Sequence, residues 1–299
     1  MLKECANCPR KCKATRDNVR VGACLASENV RLGLVSLHKY EEPCISVGKG
    51  SGTIFFCGCN LKCVYCQNSD ISQQISGKEV SISRLADIFI EQQNRGAANI
   101  NLVTPSIYTE QIRKALIIAK ETLGLKIPVI YNSSGYDSAD ELKKLEGLID
   151  VYLPDFKYIS EDLGKKYSGV SNYVESAKLA ILEMYRQVGS PKLDKDGKII
   201  SGLIIRHLIL PNNVENTKGV LKWIKENIGT DIYISIMAQY FPTNKISDNF
   251  CPELNRKISQ NELEEVEEYI FDLGFENGFI QEVGEHEEEY VPLFNGQNI

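Results

Sequence analysis

From residue 51 onward, short apolar runs alternate with amphipathic segments. Six runs rich in Val, Ile and Tyr predict β-strands, at residues 53–56, 99–103, 128–132, 150–155, 202–210 and 231–237. Apolar residues at helical spacing predict helices at residues 81–93, 109–123, 138–148, 173–188, 215–228 and 260–273. Strands that alternate with helices favour right-handed βαβ units and a parallel sheet.

Six strand–helix units are fewer than the eight of a closed TIM barrel. We therefore predict an α/β fold, a partial (βα)6 TIM-type barrel. A doubly wound open sheet is the alternative, because periodicity does not give the curvature of a sheet. Residues 1–50 are predicted to form a small Cys-rich N-terminal segment that could carry a second metal site, and residues 51–299 the barrel with a C-terminal helix and tail.

The chain has ten cysteines among its 299 residues, and nine of them lie in the first 66. Its formal net charge of −6 disfavours nucleic-acid binding, because phosphate recognition needs a basic face. There is no apolar run of 18 residues and no signal-peptide core, so we expect a cytoplasmic protein without a membrane partner. In that reducing compartment, cysteines indicate metal ligands more than disulfides.

A cysteine-dense loop follows the first predicted strand. Cys59, Cys63 and Cys66 have the spacing CxxxCxxC, and three thiolates without a nearby histidine favour an iron–sulfur cluster or zinc. Three protein ligands would leave one metal position open for a substrate or cofactor, as catalysis requires. Cys57, two residues before Cys59, could instead complete a closed structural zinc site.

A second group of cysteines lies near the N-terminus. Cys5, Cys8 and Cys12 have the spacing CxxCxxxC, and Cys24 follows, so four thiolates could converge on one metal. A short segment with few large apolar residues often needs such a metal to hold its shape. An auxiliary iron–sulfur cluster, a structural zinc and four metal-free thiols all remain open.

Polar side chains gather where the predicted parallel strands end, which is where ligands bind in α/β proteins. Asp155 and Lys157 lie two residues apart and so share a strand face; they could hold the amino-acid group or ribose of a cofactor, or form an ion pair. Arg206 lies in the apolar run LIIRHLIL and needs an anionic partner to offset its burial, either a cofactor carboxylate or an internal acid. Other strand ends carry Thr104, Asn132 and Gln239.

The cysteine loop CNLKCVYC resembles the cluster loop of the radical S-adenosylmethionine (radical SAM) enzymes. Its continuation CVYCQN resembles the branch of the pyruvate formate-lyase (glycyl-radical) activating enzymes. The resemblance implies that Cys59, Cys63 and Cys66 hold a 4Fe-4S cluster, that S-adenosylmethionine chelates the fourth iron, and that Tyr65 packs near its adenine. Residues 1–50 resemble the Cys-rich N-terminal extension of a less characterised, activase-like branch.

Later motifs extend the resemblance from residue 51 to about residue 240. Asp155-Phe156-Lys157 resembles the DxK motif after strand four of the activating enzymes, and IRHLILP, with Arg206, resembles their strand-five arginine motif. Both motifs are implied to contact S-adenosylmethionine. Asn132 in YNSSGY is similar to the asparagine of the turn after strand three.

Two positions depart from the family pattern. Gln239 stands where the activating enzymes carry a histidine that contacts the cofactor. The family's Gly-Gly-Glu turn after strand two binds the methionine amino group, and here that place reads VTPS, so Thr104 and backbone carbonyls are expected to replace it.

The resemblance implies an enzyme that reductively cleaves S-adenosylmethionine to a 5'-deoxyadenosyl radical and abstracts hydrogen from a substrate. That substrate is a glycyl residue of a partner protein or, alternatively, a small molecule or peptide, and the electron comes from a reductant such as flavodoxin or ferredoxin. The rival of another class is an iron–sulfur or zinc protein for electron transfer or binding, with closed four-thiolate sites.

Three features outside the motifs complete the predictions. His207 points away from Arg206 and is predicted to pack rather than to bind. Cys251 reads as a free thiol in a loop or a distant ligand. The long loop at residues 240–260 is predicted to cover the substrate, because loops of that length often serve as lids.

Overall fold

The computed structural model describes residues 4–16, 22–74, 76–284, 292 and 294–299. The strands in these ranges are β1 Val30–His38, β2 Ser51–Phe56, β3 Lys78–Val80, β4 Ile100–Val103, β5 Val129–Ser133, β6 Val151–Pro154, β7 Lys192–Leu193, β8 Ile199–Leu208, β9 Tyr233–Met237 and β10 Gly278–Ile280. The helices are α1 Ser69–Ser72, α2 Ile82–Asn94, α3 Thr109–Ile117, α4 Ala139–Lys143, α5 Glu161–Ser168, α6 Tyr173–Val188, α7 Val214–Asn227 and α8 Gln260–Leu273. None of these helices is long and apolar enough to cross a membrane.

The parallel strands follow one another around the sheet in chain order. In the described part of the chain, the strands lie side by side in the order β2, β4, β5, β6, β8, β9 and β10. Each neighbouring pair in this order is parallel. A doubly wound sheet reverses its strand order at a switch point, whereas this order runs in one direction as in a TIM-type barrel. The partial barrel is thus confirmed, and the doubly wound alternative is wrong.

All six predicted strands form, but the pattern does not predict β1, β3, β7 or β10. The longest of these, β1, pairs antiparallel with β2, with Leu34 opposite Phe55 and Ser36 opposite Thr53. Since β1 lies within residues 1–50, part of the predicted N-terminal segment belongs to the main sheet. The boundary at residue 50 stays a prediction.

The helices begin and end where local chemistry favours it. Ser81 caps α2 by accepting a hydrogen bond from the Arg84 backbone N–H, and Ser259 and Glu262 form a capping box at the start of α8. The helix α4 ends at Lys143, five residues before the end predicted from the sequence. Buried apolar faces, such as Leu85, Ile88 and Phe89 of α2, pack these helices against the sheet.

The connection between β1 and β2, residues 39–50, closes one end of the barrel; we call it the floor loop. The Cys44 carbonyl accepts a hydrogen bond from the Ile199 N–H at 3.0 Å, and the Ile45 carbonyl accepts one from Asn99 Nδ2 at 2.8 Å. Ile199 begins β8 and Asn99 precedes β4, so these contacts lie at the N-terminal ends of the strands. Cys44 and Ile45 are buried in one apolar cluster with Ile130, Val151, Leu153, Ile199 and Ile204.

Candidate active site

The cysteine loop leaves β2 and lies at the opposite end of the barrel from the floor loop. Backbone hydrogen bonds from Lys62 N to Ser168 O (3.0 Å) and from Val64 N to Tyr167 O (2.9 Å) tie it to the end of α5. The side chain of Asn60 is buried and donates to the Tyr136 carbonyl at 2.7 Å. These three hydrogen bonds therefore hold the cysteine loop against the rest of the barrel.

Cys59, Cys63 and Cys66 all line one cavity of about 750 Å³. Ser168 Oγ lies 3.0 Å from Cys63 Sγ, and Ser72 Oγ lies 3.2 Å from Cys66 Sγ. Each hydroxyl can donate to a thiolate, and sequence reasoning did not single out either serine. The arrangement places three sulfur donors around one space.

The environment of these thiols disfavours three free thiolates. Burial raises the pKa of Cys59 to about 12, and the neighbouring Cys63 adds to that rise. Burial also raises the pKa of Cys63, although Lys157 opposes the shift. Since metal binding requires deprotonated sulfur, a cationic metal centre is what would hold this donor set in its thiolate form.

Cys57 faces a different part of the molecule. It packs with Leu34, Phe55 and Ile71 in a separate apolar cluster, and it is absent from the lining of the cavity that holds the other three thiols. A Cβ atom added to Gly77 would lie 2.5 Å from Cys57 Sγ, so this sulfur is closely enclosed. The structure does not bring Cys57 to Cys59, Cys63 and Cys66.

The spread of the thiols suits a cluster better than a single ion. Within the described ranges, no three Cys, His, Asp or Glu side chains meet at a point that would hold one metal ion. A single zinc needs its sulfur ligands about 2.3 Å away, whereas the cysteines of an iron–sulfur cluster bind separate irons and can lie further apart. The donor set therefore fits a 4Fe-4S cluster with three protein ligands.

A buried ionic network forms the wall next to the thiols. Asp155 accepts from Lys157 Nζ at 2.6 Å and from Arg206 Nε at 2.9 Å. Arg206 also donates to Asn132 Oδ1 at 2.6 Å, and its Nη1 lies 3.5 Å from Glu41 Oε2. Internal acids are thus present as partners of Arg206, and the Asp155–Lys157 ion pair is formed.

Charges in this network stabilise one another. Burial opposes the charge of Asp155, but Arg206 and Lys157 outweigh it and hold the pKa of this carboxyl below its usual value. Burial also opposes the charge of Lys157, and Asp155 outweighs it, so the pKa of Lys157 is raised. The three groups stay charged as a unit.

Two acids of the floor loop, Glu41 and Glu42, reach the same cavity, and sequence reasoning missed both. Glu41 Oε1 accepts from Asn101 Nδ2 at 2.9 Å, whereas Glu42 Oε2 is buried without a hydrogen-bond partner. Burial raises the pKa of both carboxyls, and Arg206 opposes that rise. The one signal in the sequence is the apolar pair Cys44–Ile45, which follows them after Pro43 and indicates that the loop turns inward.

The remaining predicted residues also line this cavity. The Tyr65 hydroxyl is hydrogen-bonded to the Tyr158 hydroxyl, so the Tyr65 ring is fixed in place. Thr104 adopts a left-handed backbone (φ 63°) and begins a short turn, and Gln239 Oε1 is buried without a partner. The structure therefore brings together all ten residues predicted for this site, namely Cys59, Cys63, Tyr65, Cys66, Thr104, Asn132, Asp155, Lys157, Arg206 and Gln239.

Three other predictions concern residues outside this cavity. His207 is buried and hydrogen-bonded to the Phe156 carbonyl and the Thr217 hydroxyl, as a packing residue would be. The predicted lid lies over the cysteine loop, where Thr243 Oγ1 donates to the Val64 carbonyl at 2.7 Å. Its role towards a substrate stays a prediction. The four N-terminal cysteines, Cys5, Cys8, Cys12 and Cys24, form a separate group outside the cavity lining.

Comparison with known proteins agrees with this geometry. A family model described as the Radical SAM superfamily matches residues 53–224. The uncharacterized protein MJ0674 of Methanocaldococcus jannaschii is 33% identical over 287 residues, which cover 91% of this chain and 77% of that protein. The pyruvate formate-lyase-activating enzyme of Clostridium pasteurianum is 25% identical over 210 residues, 64% of this chain and 87% of that enzyme.

A solved structure shares the fold. The FeFe-hydrogenase maturase HydG from Carboxydothermus hydrogenoformans superposes with a TM-score of 0.53 at 13% sequence identity. The match covers 78% of this chain but 53% of HydG, so this chain spans about half the length of that protein.

Proposed function

This chain belongs to the radical SAM superfamily, and we propose that Cys59, Cys63 and Cys66 hold its 4Fe-4S cluster, with S-adenosylmethionine at the fourth iron. The observation that carries the proposal is that these three thiols share one cavity while Cys57 is enclosed elsewhere. A three-cysteine site leaves one iron free for a cofactor, whereas a closed site would not.

The bound cluster and cofactor supply radical chemistry: one electron from a reductant breaks a carbon–sulfur bond of the sulfonium, giving methionine and a 5'-deoxyadenosyl radical that takes a hydrogen atom from the substrate. A small redox protein such as flavodoxin or ferredoxin is the proposed electron donor. The chain's own residues position and enclose these groups.

The cavity offers partners of both signs to a zwitterionic cofactor. Three acids, Glu41, Glu42 and Asp155, and three basic residues, Lys39, Lys157 and Arg206, line it. The ammonium and the carboxylate of an amino-acid group would each find an oppositely charged partner there. The turn that begins at Thr104 has no carboxylate where the family has its Gly-Gly-Glu glutamate, so we assign ammonium binding to the Thr104 hydroxyl and backbone carbonyls beside it.

The fixed network next to the thiols orients the cofactor. Asp155, Lys157 and Arg206 hold one another through bonds of 2.6 to 2.9 Å, so their polar atoms need little reorganisation when a ligand arrives. Tyr65 is held by Tyr158 beside the cluster loop, which suits a flat surface for an adenine ring. Ile45 of the floor loop is fully buried beneath this cavity and packs against β8, which carries Arg206, and β6, which ends just before Asp155.

Two substrate classes have support. The similarity to a pyruvate formate-lyase-activating enzyme favours a glycyl residue of a partner protein. The cavity of about 750 Å³, closed by the floor loop, favours a small molecule or a peptide side chain, because such ligands occupy pockets of roughly 300–1,000 Å³.

The test is anaerobic reconstitution with iron and sulfide, followed by dithionite and S-adenosylmethionine, with 5'-deoxyadenosine as the measured product. Cys59→Ala should abolish this product, because the cluster loses a ligand. Cys57→Ala is the matched control and should keep most of it. Loss of the cluster in Cys57→Ala, or product formation by Cys59→Ala, would show that the assignment of ligands is wrong.

A further inference from the structure

We infer that Cys5, Cys8, Cys12 and Cys24 bind a second, closed metal centre, and that this centre holds the outer side of the Cys59–Cys66 loop in position. The radical reaction proposed above does not require this site. The inference rests on the arrangement of the thiols, on the backbone between them and on the contacts of their segment with the cysteine loop.

The four thiols lie around one region. A Cβ atom added to Gly22 would lie 3.0 Å from Cys12 Sγ and 3.9 Å from Cys24 Sγ, so both sulfurs flank the same glycine. Cys8 is buried, and its carbonyl accepts a backbone hydrogen bond from Lys11 N at 3.4 Å within the same loop. A backbone hydrogen bond of 2.7 Å from Cys5 N to Ala14 O closes the loop that carries the first three cysteines.

The backbone of residues 4–16 is strained and has little apolar support. Lys11, Lys13 and Arg16 have left-handed φ angles of 46°, 55° and 60°, and such conformations are unfavourable in residues other than glycine. These thirteen residues contain neither helix nor strand. Metal–thiolate bonds supply the stabilisation that a hydrophobic core would otherwise give.

The charge of the segment complements a four-thiolate centre. Residues 4–16 contain four basic side chains, Arg10, Lys11, Lys13 and Arg16, and one acid, Glu4. Four thiolates on an oxidised 4Fe-4S core leave two net negative charges, which nearby cations stabilise. The four cysteines of such a cluster bind separate irons and need not meet at one point, so we assign a closed 4Fe-4S site rather than a single zinc ion.

The segment docks on the cysteine loop. Arg10 Nε donates to the Asn60 carbonyl at 2.9 Å, and its Nη2 donates to the Gly169 carbonyl at 3.2 Å. Gly58 has a φ of 86°, and an added Cβ atom there would lie 2.3 Å from the Cys24 carbonyl oxygen. The N-terminal segment thus covers the loop at Gly58 and Asn60, on either side of Cys59.

The metal test removes the radical cluster first. The triple variant Cys59→Ala/Cys63→Ala/Cys66→Ala, prepared anaerobically as the full chain, should still bind metal, namely about four irons with sulfide per chain. Adding Cys12→Ser to this variant should remove that metal, and adding Cys251→Ser, a buried thiol outside both groups, should not. A triple variant without stoichiometric metal, or metal that survives Cys12→Ser, would overturn the site.

The positional role is tested by amide hydrogen exchange of residues 58–64 in the triple variant. Loss of metal through Cys12→Ser should speed exchange there at least tenfold, because the docking segment loses its fixed shape. Exchange in α6, away from the segment, reports whether the barrel stays folded and should not change. Unchanged exchange at residues 58–64 would refute the holding role. Since no readout uses S-adenosylmethionine cleavage, these results do not depend on the radical reaction.

Discussion

Arg206 is the residue on which the charge balance of the cavity depends, because it contacts Asp155, Asn132 and Glu41 at once. These acceptors offset the free-energy cost of burying the Arg206 charge, and that charge in turn offsets the cost of burying the acceptors. Removing one member of such a network leaves uncompensated buried charge.

Arg206→Leu should therefore lower the free energy of unfolding by about 3–5 kcal/mol, as expected when a buried ion pair loses one partner. Arg84→Leu is the matched control, since Arg84 pairs with Glu91 on an exposed helix face, and it should cost less than about 1 kcal/mol. Chemical denaturation of both variants gives the comparison. Equal losses would mean that the Arg206 network is not a stabilising unit.

His207 gives the fold a defined pH dependence. Burial lowers its pKa to about 4, and Lys157 adds to that fall, although the hydrogen bond from the His207 Nδ1–H to the Phe156 carbonyl opposes it. Unfolded histidine titrates near 6.5. The stability that neutral His207 contributes is therefore present above pH 6.5 and is lost as the pH falls towards 4.

Between pH 7 and pH 5 the wild-type chain should thus lose about 2 kcal/mol more unfolding free energy than His207→Gln, which has no group that titrates there. Urea denaturation of the metal-free proteins at both pH values measures the difference. Parallel pH profiles would show that His207 is not kept neutral by the fold.

Sequence reasoning identified the residues whose chemistry is local to a motif. The three cluster cysteines, Asp155 and Lys157 are recognisable because their spacing alone puts them on one loop or one strand face. Glu41 and Glu42 were not recognisable, since adjacent acids usually lie on a solvated surface. Their burial depends on where the floor loop packs, and that contact is between residues far apart in the sequence.

At the level of elements, the floor loop determines the shape of the cavity. Ile45 is fully buried and packs with side chains of β5, β6 and β8. Ile45→Ala should cost about 2–5 kcal/mol, because it leaves a cavity in the closed end of the barrel. Ile200→Ala on β8, where the side chain is 44% exposed, should cost about 0.5 kcal/mol or less. A small effect of Ile45→Ala in thermal or urea unfolding would show that this end is not packed.

Strands and helices whose apolar residues recur at a regular spacing were predictable from the sequence. Strands that form by pairing with a neighbouring strand were not. The six predicted strands and α2, α6, α7 and α8 follow from apolar spacing. In contrast, β1 lies before residue 51, where the alternation of strands and helices begins, and the three-residue β10 forms only because β9 offers it a parallel edge. Such strands are stabilised by contacts with a neighbouring strand, and the spacing of apolar residues along the sequence does not show those contacts.

The whole molecule should respond to its cofactor as one unit, because the cavity lining comes from β2, β4, β5, β8, β9, β10 and the floor loop together. S-Adenosylmethionine at about 100 times its Kd should raise the unfolding free energy of the cluster-loaded protein by about 2.7 kcal/mol. Cys59→Ala, which lacks a cluster ligand, should show little of this gain. A similar shift in both proteins, measured by anaerobic thermal unfolding, would mean that the cofactor binds away from the fourth iron.

The fold class was predictable at this scale because a regular series of strands and helices leaves few arrangements. The strand order supplied what periodicity lacks, namely that the sheet curves in one direction. The N-terminal metal, the reductant and the substrate were left open, since thiol spacing is shared by several metals and a fold hosts many reactions.

The floor loop has a kinetic consequence. If the floor loop closes one end of the barrel and S-adenosylmethionine occupies the other end, beside the thiols, then a substrate bound deeper in the cavity must enter before the cofactor and leave after it. Such a molecule would show compulsory-order kinetics, with the substrate preceding the cofactor.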